Sequence, residues 1–303
     1  MSIFFHNDPF TPCDRQETPS IDSPGFVPGN RRCVPIPDGL FPTAVDAVRL
    51  RIGARALDVA QWVSVVDDDW APTIAMKRAL IADRPQEVVA CMDGAQEACE
   101  EVAAGVLASI GASPSMESGI DALVDAALHV ADDLCILLPD EHGVPRLMAA
   151  VLCAPNRWRL VEKMGGTMAS IHSPVARYGD DVASPVNSVM MRLNAERPLW
   201  RTNWGISNHP ALFQPETPPA TPDMDAGDMW FRVEWQTLRR LPITGGIVFT
   251  IRTYVEKLSD FVAREKPLVQ DIAELVNKIP EDVAVYKSIA PYREKLFAYF
   301  ETR

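Results

Sequence analysis

The chain reads as an α+β protein, an antiparallel sheet with helices packed over it, and three observations carry that reading. Two pairs of strand-like runs, LCILLP with VPRLMAAVLC around DEHG and MWFRVEWQTLRRLP with IVFTIRTYV around ITGG, have the composition and turn residues of hairpins. These runs are too apolar to face water on both sides, so one sheet face is covered by helices or by a bound group. About 75 residues with little strand pattern separate the hairpins, and so long a segment inside a compact domain carries function or helices packed over a site.

In chain order, residues 1–45 are proline-rich and read as an extended arm, with Phe4, Phe5, Phe26, Leu40 and Phe41 to bury against the body. From Val45 to about Ile110 the apolar spacing is mostly helical. Asp67, Asp68 and Asp69 interrupt it as a solvated turn or cap, because a cation site needs oxygens converging from spaced positions. EEVAAGVLASIG continues as helix to Gly111, and GIDALVDAALHVADD forms another short helix, on which His129 and Asp133 share a face if it reaches Asp133. Between the hairpins, VNSVMMRLNAERPLWRTNWGISNHP contributes its own helix and a polar-aromatic segment at 200–209. The last forty residues give two amphipathic helices broken near Pro280 and a terminal YREKLFAYF turn or helix, read as packing material or a subunit contact. The expected organisation is an arm over 1–45, a main domain with helical insertions over 46–260 and a helical extension over 261–303.

Composition bounds the function. With 303 residues, 47% of them hydrophobic, the chain can bury a substantial core. Asp and Glu number 41 against 29 Lys and Arg, a net charge of −12, which opposes unspecific binding to nucleic acid or anionic membrane. No apolar run approaches the roughly 20 residues that cross a bilayer, and MSIFFHNDPF lacks the basic and apolar regions of a leader, so a cytoplasmic location is expected. The six cysteines form no CxxC or CxxCH pattern, which argues against a thiol redox centre, a cysteine-held iron–sulfur cluster or a covalent haem. Electrons for any redox chemistry then come from outside.

The short motifs are mostly negative. GxGxxG, GxxxxGK, GxSxG and HExxH are absent, so Gly165 and Gly166 are read as permitting a close approach between a helix and its neighbour. The informative stretch is VLCAPNRWRLVEKMGGTMASIHSPVARY, which leaves an apolar strand and ends on His172 between Ile171 and a Ser-Pro step. An imidazole can ligate haem iron, and Met164, Met168, Ile171, Pro174 and Val175 supply an apolar wall, while a structural histidine remains the plainer alternative. Arg157, Arg159, Arg201, Arg239, Arg240 and Arg252 lie in otherwise apolar or aromatic segments and suit a carboxylate or phosphate group, haem propionates among them, or internal ion pairs.

Taken together and in order, VLCAPNRWRLVEKMGGTMASIHSPV, LWRTNWGIS and WFRVEWQTLRRLPITGGIVFTIRTYVEKL resemble the haem-dependent oxidative N-demethylases, over roughly residues 35–260. The resemblance implies a PAS-like haem domain with haem b, oxidising a methyl group of a small secondary amine such as dimethylamine. It implies O2 and electrons relayed by flavin and iron–sulfur partner proteins, with release of formaldehyde. It makes His172 the axial ligand, puts Arg201, Asn203 and Trp204 in the pocket, and gives Arg239, Arg240 and Arg252 a role at propionates or the sheet edge. PVARY at 174–178 departs from the family's PVP type and loosens the loop after the ligand. Two other classes share the fold: a PAS-type haem sensor or carrier, and a haem-free interaction protein.

Overall fold

The structure, a computed structural model, describes residues 53–64, 70–171 and 183–303. The expected arm, Asp67 to Asp69 and His172 lie outside the described residues, as do Pro174 and Val175.

The α+β class is observed. Among the described residues seven strands, β1 (Arg55–Ala56), β2 (Val89–Cys91), β3 (Asp133–Pro139), β4 (Pro145–Val151), β5 (Leu199–Ser207), β6 (Trp230–Arg240) and β7 (Ile247–Lys257), form one sheet in the order β1-β5-β6-β7-β3-β4-β2. Every pairing is antiparallel. Counted among themselves, the long strands β3 to β7 run in the order 2-1-5-4-3, the PAS-like arrangement, with β1 and β2 added at the two edges.

Opposed residues of an antiparallel pair project to the same side, so the register defines two faces. The back face carries Leu134, Ile136, Ala149, Val151 and Val248, which join one core with α1 (Trp70–Asp83), α2 (Pro85–Val88), α3 (Gln96–Ser109) and α4 (Gly119–Ala127). In α3 the buried residues Ala98, Cys99, Val102, Ala103, Val106 and Leu107 recur at helical spacing, giving the apolar stripe that docks it. Further along the same face Trp204, Ile206, Phe231, Val233 and Tyr254 meet α8 (Leu258–Arg264), α9 (Lys266–Lys278), α10 (Glu281–Tyr286) and α11 (Arg293–Glu301). Each of these large apolar side chains contributes about 1.5–3 kcal/mol on leaving water.

The front face is covered by the connection between β4 and β5, through α5 (Leu160–Lys163), α6 (Met168–Ile171) and α7 (Ala183–Met191). Cys135, Ala150 and Ile251 pack with Leu160, Met164 and Ile171, while Leu238 and Ile247 pack with Met168 and Met190; Phe249 touches both groups. Gly165, at φ 70°, and Gly166 make the turn between α5 and α6 possible. A Cβ on Gly166 would lie 2.8 Å from the Lys163 carbonyl and 2.9 Å from Ser170 Oγ, so the diglycine serves the close approach read from the sequence.

Three elements differ from expectation. The helix at 119–127 stops short of Asp133, which opens β3, so His129 and Asp133 share no helical face; His129 instead lies 3.8 Å from Asp125. LWRTNWGIS is a full strand, β5, although its alternation sets aromatic against polar rather than apolar against polar residues. Val89–Cys91, inside the stretch read as mostly helical, is an edge strand against β4.

Candidate functional site

β5 and β6 build the polar part of the front face. Their register sets Arg201 opposite Gln236 and Asn203 opposite Glu234, so alternation alone brings these four side chains to one side. Glu234 is buried at 6% exposure and accepts from Asn203 Nδ2 (3.2 Å) and Gln236 Nε2 (2.9 Å), with Arg232 Nε 3.7 Å from its other oxygen. Arg232 also spans the carbonyls of Ala154, Pro155, Ala211 and Leu212, which pins the two loops flanking this end of the sheet.

Beyond β1, which pairs only with Leu199 and Trp200, the outer edge of β5 is open to the C-terminal helices. There Lys287, directly after α10, donates to Asn203 Oδ1 (3.3 Å) and to the Trp204 carbonyl (2.5 Å) and stands over the Trp204 ring at 4.8 Å. Arg157, in the segment that follows β4 in the chain, also reaches this place, and its Nη1 donates to the Lys287 carbonyl at 3.2 Å. Among the described residues, four cations, Arg157, Arg201, Arg232 and Lys287, thus share this end of the sheet with one carboxylate, Glu234.

Both incoming cations sit beside backbone in the left-handed region, with φ 64° at Arg157 and φ 54° at Ser288. Among the described residues these are the two such positions outside glycine, and such strain of about 1–3 kcal/mol tends to gather at functional sites. Ser288 closes a Schellman turn: its N–H donates to the Val285 carbonyl and that of Ile289 to Ala284, which fixes where Lys287 leaves the helix. Arg157 is anchored by its own N–H, 2.6 Å from the Gln214 carbonyl.

The electrostatics follow from this crowding. Burial draws the Lys287 ammonium down to about 8, against the opposing pull of Glu234 and with help from Arg201 and Arg157. Burial likewise lowers Arg157 and, with Glu234 nearby, raises the Tyr286 phenol, which stays protonated at neutral pH. An ammonium that titrates near neutrality can hold or release a proton during a reaction.

Of the residues singled out from sequence, the structure brings together Arg157, Arg201 and Asn203, whereas Arg159 is half-exposed and pairs with Glu216. Trp204 projects to the opposite side, into the C-terminal core 6.1 Å from Phe231, and meets the cluster through its carbonyl and ring. Arg239 points to the back face over the Trp62 ring (5.1 Å) and bonds the Ala195 carbonyl. Arg240, on the front, donates to Met190, Leu193 and Gly245 carbonyls and secures the end of α7. Arg252 is fully buried on the back face beside Thr73 and the Tyr254 ring. Sequence reasoning missed Glu234, Gln236, Tyr286 and Lys287; the alternation of β6 signals the first two, whereas Tyr286 and Lys287 lay in helices read as packing.

The donor set fits an amphiphilic group. Phe249, Ile251, Met164 and Ile171 offer an apolar wall, and the cationic margin offers partners for carboxylates; the buried Nε of Arg157 has no hydrogen-bond partner among the described residues. Among the described residues no three His, Cys, Asp or Glu side chains gather as a metal site, and a haem iron requires only one side chain from the protein.

A PAS-like sheet with one face roofed by helices and a charged margin defines an α+β domain suited to holding a ligand against its sheet. The model of the family haem-dependent oxidative N-demethylase, alpha subunit-like, matches residues 108–297, more than half of the chain, and the chain belongs to that family. Membership brings haem dependence and an oxidative N-demethylase type of function in general. The matched span extends past the stretch expected from the three motifs and takes in Tyr286 and Lys287. Among the described residues no helix is long and apolar enough to cross a membrane.

Proposed function

We propose that the chain is a haem b enzyme that removes a methyl group from a small secondary amine, dimethylamine being the simplest, with O2 as oxidant and electrons from flavin and iron–sulfur partner proteins. The observation that carries the reading is the front face, where an apolar wall adjoins a polar, cationic margin beneath the helical layer, whose α6 ends at Ile171, the residue before His172. Per turnover, one amine, one O2, two electrons and two protons give the demethylated amine, formaldehyde and water.

In this reading His172 would hold the haem iron, and Phe249 and Ile251 of the sheet would line the apolar side of its site. The bound haem supplies the activation of O2 that side chains cannot perform. The chain's own residues do the rest. Glu234, held rigid by Asn203 and Gln236, presents a negative site to a protonated amine. Phe249, Ile251 and the residues of α5 and α6 exclude water from the apolar wall. Arg201 faces a carboxylate of the cofactor or substrate, and Lys287 holds a proton close to neutrality. A propionate role for Arg240 requires it to release the carbonyls at the end of α7.

The test is the absorbance spectrum of the purified chain before and after adding haem and dithionite. A Soret band that shifts on reduction, and that is lost or altered in His172→Ala, is expected, followed by amine-dependent O2 uptake and formaldehyde release. No band after reconstitution would sink the reading, and a band without turnover would make the chain a haem sensor or carrier.

A further inference from the structure

Building on that haem-enzyme reading, we propose that Arg157 and Lys287 form an anion subsite at the margin of the front face, so that the substrate carries a carboxylate beside its secondary amine: an N-methylated amino acid rather than an unsubstituted dialkylamine. Two cations are held together with no carboxylate paired to either among the described residues. The Lys287 ammonium meets two neutral oxygens, Asn203 Oδ1 and the Trp204 carbonyl. Arg157 spends Nη1 on the Lys287 carbonyl and leaves a buried Nε without a partner among the described residues.

Each cation costs desolvation, and their proximity adds repulsion, so the pair is expensive unless an anion completes it. The backbone does not relax to separate them. Arg157 and Ser288 both hold left-handed conformations that side-chain-bearing residues avoid, and both are locked by hydrogen bonds. A chain carrying −12 overall had many acidic side chains with which to neutralise this spot, yet among the described residues Glu234 is the one carboxylate within it.

Glu234 explains the second half of the ligand. A dialkylammonium ion has a partner in Glu234 but meets repulsion from the surrounding cations. A zwitterion answers both signs, its ammonium toward Glu234 and its carboxylate toward Arg157 and Lys287, and charge-assisted hydrogen bonds at both ends fix its orientation. The ammonium bound to Asn203 Oδ1, whose Nδ2 holds Glu234, couples the two ends through one amide.

The experiment is calorimetric titration of the full chain, first without haem and then reconstituted, with N-methylglycine, acetate and dimethylamine as probes. Wild type is expected to bind N-methylglycine about ten-fold or more tighter than dimethylamine; Lys287→Met and Arg157→Met should each weaken N-methylglycine about ten-fold and change dimethylamine less than about two-fold. Lys287→Arg, which retains the charge, should recover most of the binding and shows that loss in Lys287→Met is not misfolding. Equal or tighter binding of dimethylamine by wild type overturns the proposal. So does loss of haem retention in both Met variants with N-methylglycine binding intact, which would assign the pair to the cofactor's carboxylates. If no Soret band forms, the haem reading fails while the haem-free titration still decides the subsite.

Discussion

Two charged clusters flank the sheet, and they are built on opposite principles. At the start of β3, Lys77 and Arg252 lie with Asp132 and Asp133, among the described residues two cations with two carboxylates, all essentially without solvent contact. Lys77 donates to the Val130 and Asp132 carbonyls, Ser64 donates to Asp132, and Asp133 accepts the Cys153 and Ala154 N–H groups at 2.8 Å. Burial still lowers Lys77 and raises both aspartates, but opposite charges and hydrogen bonds oppose it. At the margin of β5 the cations outnumber the carboxylate among the described residues, and two of them lean on neutral oxygens. The balanced cluster joins α1 to the sheet and serves the fold; the unbalanced one is held by packing and by hydrogen-bonded left-handed backbone, as the proposed anion subsite requires.

The largest effect expected from breaking this contrast is in the balanced cluster. Arg252→Met leaves buried carboxylate uncompensated and should lower stability by about 3–5 kcal/mol, read from urea denaturation. Lys287→Met in the unbalanced cluster should leave stability unchanged or raise it by about 1 kcal/mol at pH 7, since it removes a half-buried cation. A loss comparable with that of Arg252→Met would erase the distinction. The pH dependence has matching signs. Lys287, lowered to about 8, contributes stability that is present above its ordinary range and lost as pH falls through about 8, so the stabilisation in Lys287→Met should fade at alkaline pH.

Asp133 runs the other way. Burial raises it from 3.8 to about 6, so its contribution is full below about pH 4 and lost as pH rises through about 6. The stability of wild type relative to Asp133→Asn should therefore decline between those values and be level above them; a rise with pH would contradict the burial argument. The smallest effect is expected of Ser288→Gly. Relief of a left-handed serine should stabilise by about 0.5–1 kcal/mol, reduced by the entropy of glycine, while loosening the placement of Lys287. Weaker N-methylglycine binding with higher thermal stability would mark that strain as functional.

Both hairpins, the terminal helices and the helical stretch around α3 were legible because their apolar period matches their burial. β5 was not, because its front-face residues Arg201 and Asn203 are polar yet covered, and a covered polar face breaks the alternation that marks an ordinary strand. His129 and Asp133 misled for a related reason: sequence spacing sets the pair on one helical face, while the chain had already turned into β3. In the site, Arg201 and Asn203 were readable from one short motif; Lys287 was not, since it lies more than 80 residues away in a helix whose apolar stripe suggested packing alone.

By itself the sequence determined the fold class, the cover over one sheet face and the family, because these rest on local periodicity, composition and long ordered motifs. Only the tertiary structure decided which arginines share a site. Strand register sent Arg239 and Arg252 to the back and Arg201 to the front, and the open edge of β5 admitted Lys287 from the C-terminal helices. Long-range pairing sets both, and no local pattern encodes the position of a cation against a strand it reaches only after the chain has closed on itself.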